Sequence, residues 1–153
     1  PASHQARHRE RDYLRQIPVD FDLAPRRVIH HIQHHHPKAV VCCGMGESRK
    51  TLDLESTAVD EHIQRHSSVD LMWLSKGLEF TQISDDAGQF VCNRLYYRVL
   101  SYLHHHAPDI PCVFVHVPRL TLQNRAAIVQ DFQVVIDRIE RLASWAECSI
   151  AHV

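Results

Sequence analysis

The chain has 153 residues, 44% of them hydrophobic, with 17 basic and 18 acidic side chains and a formal net charge of −1. That length and apolar fraction suit one domain over residues 1–153 with a sizeable core. The near-neutral balance argues against nucleic acid or an anionic membrane as partner, and no apolar run reaches the ~20 residues that span a bilayer. The chain opens on Pro1 rather than Met and reads as processed, tagged or truncated at its start, with no signal peptide.

Residues 1–13 are polar and charged and read as a frayed segment or the tail of a helix. Leu14 to Phe21 alternates and contains Pro18, the pattern of a short edge strand. Pro25 opens a helix to about His36, with Val28, Ile29 and Ile32 as its apolar stripe and Pro37 as its stop. Lys38 to Cys43 is a continuous apolar run, as in a strand buried on both faces, and Gly44 to Ser48 reads as the turn that leaves it. Residues 51–78 read only as short strands and loops, followed by an alternating stretch at Phe80 to Ile83. The spacing of Phe90, Leu95, Val99 and Leu103 predicts a helix from about Asp86 to His105, capped by Ser84 or Asp85. Pro111 to Val117 is a second buried strand. A last helix, capped by Thr121 or Asn124, runs to about Cys148 with an apolar face from Ile128 to Ala146. Helix–strand–helix–strand–helix implies an α/β fold, a three-layer α/β/α sandwich around a mostly parallel, mixed sheet. Sites in such sheets form at the carboxyl ends of strands, where Gly44, Ser84 and His116 fall.

Two residue types stand out. The five cysteines are an odd number, Cys42 and Cys43 are adjacent, and no CxxC occurs, so the thiols read as reduced and the protein as cytoplasmic. Histidine occurs 14 times, mostly in His30–His36 and His104–His106. Both runs fall at predicted helix C-termini, where imidazolium suits the helix dipole, so they read as solvated helix ends and neither metal nor cofactor is expected.

The chemistry centres on Cys92, near the start of a predicted helix, and His116, at the end of a predicted strand. A thiolate is the nucleophilic form of cysteine, and a helix N-terminus or a neighbouring imidazolium favours it. Histidine can then act as general base and acid, while backbone N–H groups near Gly88 could form an oxyanion hole. By themselves the two residues read more readily as a core thiol and a satisfied strand-end histidine than as a catalytic pair.

Three blocks change that balance. Ser84-Asp85-Asp86-Ala87-Gly88-Gln89-Phe90-Val91-Cys92-Asn93, then Phe114-Val115-His116-Val117-Pro118, and before them Val40-Val41-Cys42-Cys43-Gly44 leading to Arg49 and Glu55, together resemble the pyroglutamyl peptidase I family of cysteine peptidases. The Cys92-to-His116 and Gly44-to-Glu55 intervals look like the family's. The resemblance covers about residues 16–120 and implies a phosphorylase/hydrolase-like fold and removal of N-terminal pyroglutamate without a cofactor. It implies Cys92 as nucleophile, His116 as proton shuttle and Glu55 as the acid that orients His116. It puts Phe90, Met45, Gly44 and Arg49 at the substrate, a peptide or small amide, and implies a homo-oligomer. The chain departs from the pattern in three ways. The family's opening strand with its Gly-Phe-Asp-Pro-Phe-Gly-Gly motif has no counterpart, Met45 stands where the family has glutamine, and the Glu55-to-Cys92 stretch is short and lacks Arg-Ile-Pro-Asp-Asn. These departures keep a second reading open, a divergent binding or scaffold protein or a hydrolase of another amide.

Overall fold

The structure, a computed structural model, describes residues 11–150, with side chains through residue 144. Four strands form a sheet in the order β1 (Val40–Gly46), β6 (Cys112–Pro118), β2 (Leu52–Glu55), β5 (Thr81–Ser84). The β1–β6 and β2–β5 pairs are parallel, and the β2–β6 junction between them is antiparallel. The sheet is thus mixed and mostly parallel, as expected. A separate antiparallel hairpin, β3 (Thr57–Asp60) with β4 (Ile63–His66), follows β2 directly.

Helices cover both faces. Cys42, Phe114 and the apolar residues of α1 (Leu23–His35) and α3 (Val91–His106) form one core cluster. Leu52, Leu54, Val113 and Val115 form the other, with Leu71 and Leu74 of α2 (Leu71–Ser75) and Ile128, Val135 and Ile139 of α4 (Arg125–Ile150). Alternate residues of a strand point to opposite faces, so Val113 and Val115 face α2 and α4 while Phe114 and His116 face α1 and α3. Burying both faces accounts for the unbroken apolar runs of β1 and β6.

Several expectations are corrected. No strand forms at 14–21. Gln16 has φ 54°, which breaks an extended run, and Leu14 and Ile17, three apart, both pack on the α1–α3 core where an edge strand would need period two. The first helix starts at Leu23, where Asp20 accepts hydrogen bonds from the N–H groups of Asp22 (2.9 Å) and Leu23 (2.7 Å), and Pro25 falls inside its first turn. Strand β1 does not turn at Gly44 but continues through Gly46. Helix α3 starts at Val91, not Asp86, because Gly88 takes φ +80° and Phe90 is extended. The 51–78 region contains β2, the β3–β4 hairpin and α2, whose cap is Asp70 accepting from Trp73 N at 3.1 Å. The last helix starts as expected: Thr121 Oγ1 accepts from Asn124 N (3.2 Å) and Asn124 Oδ1 from Thr121 N (2.8 Å). Ala146 and Cys148 lie outside the described side chains, as do residues 1–10 altogether.

Candidate active site

The later start of α3 makes Cys92 the second residue of a sixteen-residue helix. The first N–H groups of a helix have no partner within it, and no side chain caps them at Phe90. Cys92 therefore sits among the free N–H groups and partial positive charge of the α3 N-terminus.

Strand register supplies the other groups. Gly44 of β1 pairs with His116 of β6, and Asp53 of β2 pairs with His116 from the other side. Glu55 lies two residues beyond Asp53 on the same face, a diagonal neighbour of His116 that a long side chain can reach. Its Oε1 is 2.6 Å from His116 Nδ1. Because β2 runs against β6, the groups do not converge at a common carboxyl end as the strand-end argument expected; the register of three strands brings them together.

His116 pairs with Glu55 through Nδ1, and Cys92 lies near enough to act on the same ring. Burial is the largest single influence and favours the neutral ring. The combined influence of Cys92 and Glu55 outweighs it and pushes His116 up to about 9. The Cys92 sulfur lies against Gly44: a Cβ built on Gly44 would fall 2.7 Å from Sγ and 3.0 Å from Phe114 Cζ. Gly44 is thus required for close approach rather than for a turn.

The expected substrate residues separate. Phe90 is 78% exposed, immediately before the helix that carries Cys92, and makes no core contact of the kind an apolar helix position would. Met45 is 66% exposed near the end of β1. Arg49 is committed to the protein. It donates to Asp53 Oδ2 at 2.6 Å and to the Asp86 carbonyl at 2.6 Å, and lies 3.6 Å from Glu55 Oε1. It therefore ties β2 to the loop that leads into α3. Asp53 and Glu55 are both 0% exposed. Asp53 also accepts from Thr51 Oγ1 (2.9 Å) and Gln82 Nε2 (2.8 Å). Buried carboxylates persist when they are paired and hydrogen-bonded in this way.

Asp53, Asn93 and Tyr96, which hold the arrangement, carry no signal of that role in the sequence. The Asn93 side chain pairs with the Val59 backbone in both directions, accepting from its N–H (2.9 Å) and donating to its carbonyl (2.8 Å). The Tyr96 hydroxyl donates to the Glu55 backbone carbonyl at 2.9 Å. Cys92 and Tyr96 are four apart and share one helix face, so the helix that presents the thiol also holds the strand that carries the acid.

The family model described as pyroglutamyl peptidase matches residues 70–134, a span that includes Cys92 and His116. A pyrrolidone-carboxylate peptidase of Enterococcus faecalis is 28% identical, over 71% of this chain and 63% of that protein. One from Brevibacillus brevis is 24% identical, over 91% and 77%. The chain thus spans less than two thirds of the length of the E. faecalis protein. Its fold matches the crystal structure of pyroglutamyl peptidase I from Bacillus amyloliquefaciens with a TM-score of 0.70 at 18% identity, covering 78% of this chain and 74% of the other. A mutant pyrrolidone carboxyl peptidase from Pyrococcus furiosus matches with a TM-score of 0.70 at 17% identity, over 82% and 79%. Over residues 70–134 the sequence, and over most of the chain the fold, is similar to that of the pyroglutamyl peptidases.

Proposed function

We propose that the protein is a cysteine-type omega peptidase that removes N-terminal pyroglutamate from peptides. One observation carries the reading: His116 Nδ1 pairs with the buried Glu55 carboxylate at 2.6 Å, and the Cys92 thiol acts on the same ring. In the proposed reaction the Cys92 thiolate attacks the pyroglutamyl carbonyl and the α3 N–H groups receive the oxyanion. Protonated His116 gives its proton to the leaving amine, and the acyl-enzyme forms. His116 then takes a proton from water, and hydrolysis returns the thiolate. Glu55 keeps the ring oriented and stabilises the imidazolium throughout. Phe90, Met45 and Gly44 border the acyl group, and Arg49 supports the site from behind.

The names of the relatives support this choice of substrate. Exposed Met45, in the place of a family glutamine, favours a second reading in which the same machinery cleaves an amide with a more apolar acyl group. The proposal includes a cytoplasmic location, which keeps a nucleophilic thiol reduced and agrees with free Cys42, Cys43, Cys92 and Cys112. It also includes self-association into a homo-oligomer.

The test is release of aminocoumarin from pyroglutamyl-aminomethylcoumarin by the full chain, beside alanyl and leucyl analogues. Turnover confined to the pyroglutamyl substrate and abolished by Cys92→Ala is expected. Turnover of leucyl but not pyroglutamyl substrate would select the second reading. No turnover, with iodoacetamide showing no preference for Cys92, would overturn both.

A further inference from the structure

Asp12 meets two histidines of α1 far from Cys92. One carboxylate oxygen, Oδ2, lies 2.7 Å from His31 Nε2 and 3.4 Å from His35 Nδ1. His31 and His35 are four apart on the last turns of α1, with ring centroids 4.1 Å apart. The donor atoms of all three residues lie within 4.8 Å of one another, and among the described residues this is the one group of three that converges so. Arg11 fixes the neighbouring position by pairing with Asp137 and Glu140 of α4. Asp12 is thereby held against α1 from a segment already anchored to α4, rather than carried on a free tail.

We propose that Asp12, His31 and His35 form a binding site for a borderline divalent cation, zinc in the first place. Two imidazoles and one carboxylate are a donor set that zinc accepts and that magnesium and calcium, which prefer all-oxygen shells, do not. Histidines four apart on a helix present their rings to one ion. Tetrahedral donors at ordinary zinc bond lengths stand roughly 3.3 Å apart. The His35–Asp12 separation, 3.4 Å, is close to that value, and the exposed Asp12 carboxylate can rotate to lengthen its 2.7 Å approach to His31. Water completes the shell. His35 precedes the start of β1, whereas the Cys92 sulfur touches Gly44 four strand residues further on, roughly 13 Å along the sheet. The ion therefore acts as a clamp between the segment before α1 and the helix itself, and takes no part in hydrolysis.

Metal-stripped full chain carrying Cys92→Ser, to remove the reactive thiol, is titrated with zinc by calorimetry and with cobalt(II) by absorption. One tight equivalent is expected, with nitrogen and oxygen ligation and no sulfur-to-cobalt band. Zinc should also raise the melting temperature. Asp12→Asn and His35→Gln should each weaken this equivalent at least about tenfold and abolish the thermal shift. His30→Gln and His105→Gln, in the same histidine runs, should leave both unchanged. With the wild-type thiol restored, Asp12→Asn should turn over substrate at the wild-type rate in chelator. Weak binding of several equivalents that is indifferent to Asp12→Asn would show adventitious histidine binding and overturn the proposal. Sulfur ligation, or no binding, would do the same.

Discussion

Gly44 stands where a side chain cannot be added without moving Cys92, since a methyl group there would fall 2.7 Å from Sγ with the Phe114 ring at 3.0 Å on its other side. Gly44→Ala should therefore fold, because β1 has no unusual backbone at this position, yet displace the thiol from His116. Misplacing a reacting group by an ångström costs about a hundredfold, so a fall of that order in kcat/KM and slower alkylation of Cys92 are expected; unchanged alkylation kinetics would show that the sulfur tolerates the methyl group. His116 yields a pH prediction. Burial lowers its affinity for the proton, and the influence of Cys92 and Glu55 more than offsets this and pushes His116 up to about 9. The imidazolium thus persists below that pH and is lost above it, which sets the alkaline limb of kcat/KM near 9. Glu55→Gln removes one of the two supporting charges, so the limb should move down toward the ordinary histidine value, and a limb that stays near 9 would show that Glu55 does not hold the ring. That Cys92, His116 and Glu55 meet in space was legible in the sequence because motif spacing carries them. The internal bonds of Arg49 were not legible, because one partner, the Asp86 carbonyl, is 37 residues away and leaves no local trace.

Among the elements, the amphipathic helices α1, α3 and α4 were legible and the short pieces were not. The period of 3.6 is clear over the sixteen residues of α3 and absent from the five of α2. The β3–β4 hairpin turns on Glu61 and His62, with Glu61 at φ 52°, and carries none of the glycine or asparagine that marks such turns. The start of α3 was misplaced because Ser84, Asp85 and Asp86 all resemble caps, whereas Gly88 interrupts the chain after them. That error matters, since the true start brings Cys92 to the helix N-terminus. Helix α3 also couples thiol and acid through Tyr96. Tyr96→Phe keeps the buried ring against Phe114 and deletes the bond to the Glu55 carbonyl. A lost buried hydrogen bond costs about 1–3 kcal/mol. Beyond that cost, the alkaline limb of activity should shift in the direction of Glu55→Gln, a change that a purely structural role would not produce. Denaturant unfolding and a pH–rate profile on the same protein separate the two effects.

At the scale of the whole molecule, the sheet divides labour between its faces. The α1–α3 face carries Gly44, Asp53, Glu55 and His116, and with them the burial of charge. The α2–α4 face is apolar, from Leu52 and Leu54 to Ile128 and Ile139. The layered fold was legible because the buried strands and long helices fix the layers, whereas the antiparallel β2–β6 junction depends on pairing between strands more than fifty residues apart and leaves no local trace. A buried carboxylate anchors the apolar face. Asp131 of α4, buried, accepts from Phe80 N at 2.8 Å and from Thr81 Oγ1 at 2.9 Å, and so fixes the start of the edge strand β5 against the helix. Asp131→Ala leaves a backbone N–H without its partner and should cost about 1–3 kcal/mol, which for a chain of this size lowers the melting temperature by roughly 2–4 °C per kcal/mol. The site lies across the sheet, and Gln82 and Ser84, the β5 residues that face it, stay held by β2. Below the transition, kcat/KM should therefore equal the wild-type value. A large loss of activity at full folding would mean that β5 transmits the position of α4 to Asp53 and Glu55, and that the two faces are not independent.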